Sequence, residues 1–172
     1  MEENVEAGRS AKKKITPKSL TNQQIALGLG KIPPQAVDME EAVLGALMLE
    51  KNALTTVIDI LHPDSFYKEA HQKIFKVIRD LFNKAEPIDI LTVTHALKKA
   101  GDLELVGGAF YITQLTNRIA SAANIEFHAR IILQKFIQRE LIRISSETIK
   151  SAYEDTSDVL IMHKKKKKNL FA

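Results

Sequence analysis

The sequence lacks cysteine altogether, and it contains no run of about 18 or more consecutive apolar residues, the length that would span a bilayer. Without cysteine the chain can form neither a disulfide nor a thiolate metal site, which suits a reducing cytosol. The N-terminal residues MEENVEAGRSAKKK are not followed by the apolar stretch of a signal peptide. These absences predict a cytoplasmic protein with no membrane partner. The 45% apolar content is sufficient for a buried core.

A nucleotide-binding P-loop is also missing. That motif needs a strand, glycines whose backbone N–H groups surround the phosphates, and then a lysine followed by a hydroxyl residue. The nearest fragment, Gly28-Leu29-Gly30-Lys31, lacks the first glycine, the hydroxyl residue and the strand. We therefore predict no catalytic residue, no cofactor and no enzymatic activity for this chain.

The five histidines are spaced so that no two of them share a helix face at i, i+3 or i+4. The sequence therefore predicts no paired metal-binding face of the kind that zinc uses. His71 and His128 lie beside apolar rows, where a hydrogen-bonded structural histidine is favoured over a metal ligand or a general base.

Positive charge is concentrated outside the central part of the chain. Residues 32–160 contain 14 Lys+Arg and 18 Asp+Glu, a net charge of −4, whereas the whole chain carries +4. The central part does not therefore have the basic balance typical of a duplex-binding domain. Basic runs lie instead at Lys12–Lys14 and Lys164–Lys168.

Apolar residues recur at helical spacing through most of residues 32–162 and no strand is indicated, so the predicted fold class is all-α. The clearest helix boundaries lie in one short stretch. Asp89 is predicted to cap a helix at its start, and Gly101 is predicted to end that helix in the left-handed conformation.

Earlier helix starts are predicted from carboxylate and amide side chains. Asp38 and Glu41 have capping-box spacing ahead of a central helix that is apolar on most sides. Asn52 is expected to cap a second helix that ends at His62. Either Asp64 or Ser65 is expected to start a third. The buried stripe predicted for that third helix consists of Phe66, Ile74, Phe75, Ile78, Leu81 and Phe82.

The longest helical pattern runs from Ala123 to Tyr153 and contains neither glycine nor proline. At 1.5 Å per residue it would be about 45 Å long, which exceeds the width of a small domain. Its apolar row consists of Leu133, Ile137, Leu141, Ile144, Thr148 and Ala152. A helix that leaves its own core and remains apolar needs a second helix or another chain to cover it.

These patterns predict four parts. Residues 1–31 form a disordered basic tail, and residues 32–122 form a small helical head. Residues 123–162 form the long helix and the start of an antiparallel hairpin return, and residues 163–172 form a lysine-rich tail.

From residue 32 to about residue 159 the sequence closely resembles the N-terminal domain of bacterial replicative DNA helicases of the DnaB family. The resemblance depends on the order and spacing of many residues, none of which is specific alone. The matching residues are Pro33-Pro34, Glu41-Ala42-Val43-Leu44-Gly45, Phe66-Tyr67, His71, Ile74-Phe75, Pro87-Ile88-Asp89, Thr92-Val93, Leu97, Gly101, Leu103, Gly107-Gly108, Tyr111, Leu115, Ala123-Asn124, Ala129, Ile131 and Arg139.

The resemblance implies a collar: a helical head followed by a helical hairpin, with hairpins of two chains pairing and six chains assembling. It also implies binding of the primase C-terminal domain and assembly with full-length helicase. ATP and Mg²⁺ would belong to a motor domain that this sequence does not include, so the chain is expected to be the collar alone, as a truncated gene product or a fragment. Lys164 to Lys168 interrupt the pattern that the family has in the second hairpin arm.

Six residues of the long helix and its end are predicted to form the interface with a second chain or a partner, although packing within the monomer is the alternative for each. They are Ile132, Phe136, Arg139, Arg143, Ile144 and Tyr153.

Two other interpretations remain open from the sequence. The first is a small nucleic-acid-binding protein that acts through its tails, with phosphate contacts from Lys164, Lys165, Lys166, Lys167 and Lys168. The second is the helicase-binding end of primase, whose helical architecture is similar. The Pro87-Ile88-Asp89 and Gly107-Gly108 matches favour the helicase over primase.

Overall fold

The computed structural model describes residues 31–117 and 123–153. The helices of these residues all lie within one unit of the chain, Ile32–Ala172. The described residues contain six α-helices, one 3₁₀ helix and no strand, which confirms the all-α prediction. The helices are α1 (Val37–Leu49), α2 (Ala53–Val57), the 3₁₀ helix (Pro63–Ser65), α3 (Glu69–Asn83), α4 (Ile90–Ala100), α5 (Gly108–Asn117) and α6 (Ile125–Ala152).

Helix α1 lies at the centre of the bundle, as its apolar circumference predicts. It contacts helices on several sides, α3, α5 and α6 among them, and its residues Val43, Leu44 and Leu47 are fully buried. The predicted capping box is wrong. The helix begins at Val37 after an uncapped Ala36, and Glu41 is drawn instead into tertiary contacts with Lys68 and Tyr111.

The second and third predicted helices are shorter than their apolar spacing indicates. Helix α2 ends at Val57, and its N-cap residue Asn52 makes no capping hydrogen bond through its side chain. The start predicted at Asp64 or Ser65 is a single 3₁₀ turn, and the helix proper begins only at Glu69. Phe66 adopts an extended conformation between the two, because this conformation places its ring in the core against Phe75.

The stripe predicted for the third helix is correct in five of its six members. Phe66, Ile74, Phe75, Ile78 and Leu81 are buried, whereas Phe82 is partly exposed on the outer side of α3. These buried side chains, with those of α1 and α4, form one continuous apolar cluster that fixes the head, defined here as helices α1–α5.

The boundaries predicted for α4 are confirmed by its hydrogen bonds. The Asp89 carboxylate accepts from the Thr92 backbone N–H at 2.9 Å, and the Thr92 hydroxyl accepts from the Asp89 N–H at 3.0 Å. Gly101 ends the helix with a φ of 77°, in the left-handed region that glycine adopts without strain.

Helix α3 ends in the same way, but at an alanine. The Glu86 N–H donates to the Leu81 carbonyl across Ala85, whose φ is 55°. We expect Ala85→Gly to raise the free energy of unfolding by about 0.5–1 kcal/mol, because glycine carries no Cβ penalty in this conformation. Urea unfolding followed by circular dichroism measures the change. Gly101→Ala, the reverse change at the equivalent position of α4, should lower stability by a similar amount. Equal stabilities for all three chains would contradict the prediction.

Candidate interaction surface

The first half of α6 is anchored in the head. Ile125, Ala129 and Ile132 recur at i, i+4 and i+7, lie on one side of the helix and are buried. This side packs against α1 and α2. No residue of α6 beyond Ile132 is buried, so the second half extends past the core that holds the first half.

Arg139 lies one turn after the half-buried Phe136 and bonds to two distant backbone carbonyls. Its Nη1 donates to the Pro34 oxygen at 3.0 Å, and its Nη2 donates to the Ser65 oxygen at 2.7 Å. The guanidinium carbon is 5.6 Å from the centre of the Tyr67 ring and 5.8 Å from that of Phe136. Arg139 therefore fastens the α6 backbone to the residues before α1 and to the 3₁₀ turn.

A buried polar cluster supports the turn from its other side. The Glu40 carboxylate accepts from the Tyr67 N–H and from the His71 Nδ1–H, both at 2.7 Å. Glu40 is 1% exposed and His71 is fully buried, so both groups depend on each other for hydrogen bonds. The Glu40 side chain of α1 thus binds the backbone that leads into α3.

The same cluster reaches α5. His71 Nε2 and the Tyr111 hydroxyl are 2.7 Å apart, and that hydroxyl donates to a Glu41 carboxylate oxygen at 3.4 Å. The Lys68 ammonium donates to the same Glu41 oxygen at 3.2 Å. His71 is therefore a structural histidine with partners on both nitrogens, as the sequence predicts.

The second half of α6 exposes large apolar side chains on two flanks. At 100° per residue, Ile137, Leu141 and Ile144 lie on one flank, and Ile142, Ile149 and Tyr153 lie on the other. Leu141 and Ile142 are each 49% exposed and Tyr153 is 73% exposed, while Ile144 is half-buried. We call these six residues the distal apolar surface.

Charged residues between the two flanks are paired within the helix. Arg143 donates to Glu140 at 2.7 Å and to Glu147 at 2.8 Å. These hydrogen bonds raise the pKa of Arg143, and the bond from Arg143 lowers the pKa of the Glu140 carboxyl below its ordinary value. This charged ladder, Glu140–Arg143–Glu147, leaves its own charges satisfied, so the distal apolar surface is the part of this half that needs a partner.

The structure separates the predicted interface residues into three groups. Ile132 is 1% exposed and packs within the core of its own chain, the alternative that the sequence left open for each of the six. Phe136 and Arg139 are engaged at the junction with the head. Arg143, Ile144 and Tyr153 lie beyond it on the projecting half. The residues predicted to contact phosphate, Lys164 to Lys168, and the predicted hairpin return from residue 156 lie outside the described residues.

Sequence reasoning missed the residues that hold the junction from the head. Neighbouring residues alone indicate that Glu40 is a carboxylate in the first turn of a helix and that Ser65 starts a helix. Both instead serve contacts across 25 or more positions of sequence. A carboxylate next to an apolar run, followed later by histidine and tyrosine on buried faces, was the available signal for the polar cluster.

Neither a metal nor a membrane site is indicated in the described ranges. They contain no group of three or more His, Asp or Glu side chains arranged to hold a metal ion. Among the helices of these ranges, none is long and apolar enough to cross a membrane. A groove of about 640 Å³ lies between α3 and α4, with Leu81, Leu91 and His95 among its lining residues.

Comparison with known proteins identifies the fold. The family model described as the DnaB-like helicase N terminal domain matches residues 32–134, more than half of the chain. The chain belongs to the DnaB-like helicase N-terminal domain family. The prominent features of this DnaB-like domain, a helical head and a projecting helix, can therefore be compared with those of its relatives.

Curated relatives are replicative DNA helicases. "Replicative DNA helicase DnaB" of Rhodothermus marinus is 44% identical over 129 residues, which cover 75% of this chain and 14% of that protein. The DnaB of Geobacillus stearothermophilus is 41% identical over 133 residues, covering 76% of this chain and 29% of that protein. The DnaB-like chain therefore spans less than a third of the length of these relatives.

A solved structure has the same fold. The crystal structure of the N-terminal domain of DnaB helicase from Mycobacterium tuberculosis matches this chain with a TM-score of 0.77 and 32% identity. The match covers 81% of this chain and 99% of that one. The fold of the DnaB-like chain is thus shared with that N-terminal domain.

Proposed function

We propose that this chain is an assembly and interaction domain of a replicative DNA helicase, which pairs with a second copy of itself and binds the C-terminal domain of primase. The distal apolar surface carries the proposal. Its six large side chains lie on the half of α6 that leaves the head, and solvent-exposed apolar surface of this kind favours a protein partner.

Two flanks support more than one contact. A single packed helix covers one stripe of its neighbour, whereas Leu141 and Ile142 lie on different flanks. A second copy covers one flank, and the other remains for a further helix of the assembly, of the full-length helicase or of primase. The proposed setting is the cytoplasm, where DNA replication would bring these proteins together.

Burial of apolar side chains, rather than ion pairing, drives the proposed pairing. The charged ladder already pairs its own groups, so a partner gains little by supplying an opposite charge there. Self-association should consequently depend weakly on salt concentration, in contrast to binding through lysines, which weakens steeply as salt rises.

The proposed role is not catalytic. The relatives are named as helicases, but this chain spans less than a third of them. ATP and Mg²⁺ would be bound by the remainder of such a protein. A purified sample of this chain should hydrolyse no ATP above background, and hydrolysis that survives purification to homogeneity would contradict this part of the proposal.

Sedimentation velocity over a concentration series tests the self-association. We expect a reversible dimer or larger assembly, and we expect Leu141→Lys to raise its dissociation constant about ten- to a hundredfold, since each buried leucine contributes about 1.5–3 kcal/mol. Asn83→Lys, which places the same charge at an exposed polar position of α3 in the head, should leave the constant unchanged.

Two results would overturn the proposed function. One is a chain that remains monomeric at high micromolar concentration and shows no binding to a primase C-terminal domain by calorimetry. The other is an association that Leu141→Lys and Asn83→Lys weaken equally, because the partner would then not lie on the distal apolar surface.

A second candidate function rests on the run of five lysines, Lys164 to Lys168. Such a run can neutralise several phosphates and bind nucleic acid without regard to sequence. Deleting the five residues should then abolish retention on single-stranded DNA. Retention that is unchanged by the deletion would refute this candidate, and the proposed assembly does not depend on it.

A further inference from the structure

Residues 32–36, which we call the leading segment, approach α1 in a non-helical conformation. Ile32 is 78% exposed, and Pro33 and Pro34 have no N–H to donate. Among the described hydrogen bonds, the bond from Arg139 to the Pro34 carbonyl is the one that ties residues 32–35 to the rest of the chain. Ala36, at the end of the segment, is held by hydrogen bonds from Met39 and Glu40, so Arg139 is the polar anchor of the residues ahead of it.

The 3₁₀ turn needs the same side chain. Ser65 is completely buried, and its backbone carbonyl accepts from Arg139 at 2.7 Å. An internal donor matters here because a buried carbonyl that loses its partner is not readily solvated. One planar guanidinium thus satisfies two carbonyls that are 31 positions apart in sequence, Pro34 and Ser65.

The geometry points to Arg139 as a lock that holds the leading segment and the 3₁₀ turn on the long helix, at the level where that helix leaves the head. Arginine suits this position because its planar fork carries several N–H donors in fixed directions while its faces stack on rings. The rings of Tyr67 and Phe136 lie within 6 Å of the guanidinium carbon and confine it. A lysine ammonium would be a point charge with neither property.

The lock is distinct from the proposed assembly. Arg139 contacts groups of its own chain, and the distal apolar surface continues beyond it to Tyr153. A variant can therefore lose self-association and keep the Arg139 contacts, and another can lose the Arg139 contacts and still associate. A measurement made within one chain distinguishes the two.

Distances between spin labels provide that measurement. The chain has no cysteine, so Ile32→Cys and Lys76→Cys create two unique labelling sites, one on the leading segment and one on an exposed face of α3. Diluting the labelled chain with unlabelled chain removes distances between copies. We expect a narrow distance distribution that becomes broad in Arg139→Met, with the helical content unchanged.

Amide exchange reports the 3₁₀ turn independently. The N–H groups of Ser65 and Phe66 donate to His62 and Pro63 in the locked state. Loss of a hydrogen bond from a charged donor should accelerate their exchange about tenfold or more in Arg139→Met. Arg139→Lys should give the same two changes, because it keeps the charge and loses the planar fork.

Arg143→Met is the matched control. Arg143 lies one turn further along α6 and bonds to Glu140 and Glu147 of the same helix, so its replacement should leave the distance distribution and both amides as they are. Unchanged distances and exchange in Arg139→Met would overturn the lock. Full retention of both in Arg139→Lys would also overturn it, since charge alone would then suffice.

Discussion

Replacing Glu40 with alanine is expected to lower the free energy of unfolding by about 2–5 kcal/mol, because each buried donor that loses its acceptor costs about 1–3 kcal/mol. The Glu40 carboxylate accepts from His71 Nδ1 and from the Tyr67 N–H, both at 2.7 Å, and from the Lys68 N–H at 3.5 Å, so its removal takes the acceptor from three donors. Urea unfolding followed by circular dichroism measures the loss, and the fold should remain all-α in the absence of urea.

The same substitution at Glu69 is the control. Glu69 lies in the first turn of α3, and its ion pair with Lys73 has a separation of 3.9 Å on the surface. Glu69→Ala should change stability by less than about 1 kcal/mol, the usual limit for an exposed pair. Similar losses for the two variants would show that the polar cluster contributes no more than surface charge does.

Ile132→Ala should lower the free energy of unfolding by about 2–5 kcal/mol, because it empties a methyl-rich site that the surrounding helices cannot refill. Ile132 is buried where α6 packs on the head. Under conditions in which the Ile132→Ala variant is folded, its dissociation constant for self-association should equal that of the parent chain. This outcome would establish Ile132 as a core residue rather than an interface residue.

Ile142→Ala removes the same atoms from a position ten residues further along α6, where the side chain is 49% exposed. Its stability within the monomer should fall by less than about 1.5 kcal/mol, since less apolar area leaves the protein interior. Its self-association should weaken instead. Equal destabilisation by the two substitutions would mean that the second half of α6 is also packed against its own chain.

The parts of the fold that follow from neighbouring residues could be predicted from the sequence. Asp89 and Gly101 act on backbone groups within a few residues, so their roles in bounding α4 follow from local chemistry. The same kind of reasoning failed at Asp38 and at Asp64. Near Asp38, Glu41 bonds to the distant Lys68 and Tyr111 instead of capping α1. Near Asp64, Phe66 enters the core, and Glu40 accepts hydrogen bonds from the backbone ahead of α3.

The sequence indicated which part of the chain holds the candidate site, but not which side chains there are exposed. A continuous helix of this length necessarily leaves a small head, so the apolar surplus of residues 123–153 indicated where a partner would pack. Ile132 and Ile142 are chemically identical, and their exposure differs because the head ends between them. The position of that boundary depends on where the backbone at Pro34 and Ser65 contacts α6. The spacing of apolar residues within α6 does not encode those contacts.

The charged ladder also bears on the direction in which two copies would lie. Because Glu140, Arg143 and Glu147 pair within a single helix and are exposed to solvent, they provide little electrostatic preference between parallel and antiparallel neighbours. The choice of direction and register then falls to the shapes of the leucine and isoleucine side chains on the two flanks. Moving one glutamate of the ladder out of reach of Arg143 would leave a charge that favours one relative direction of the two helices. In the present sequence these charges do not specify that direction.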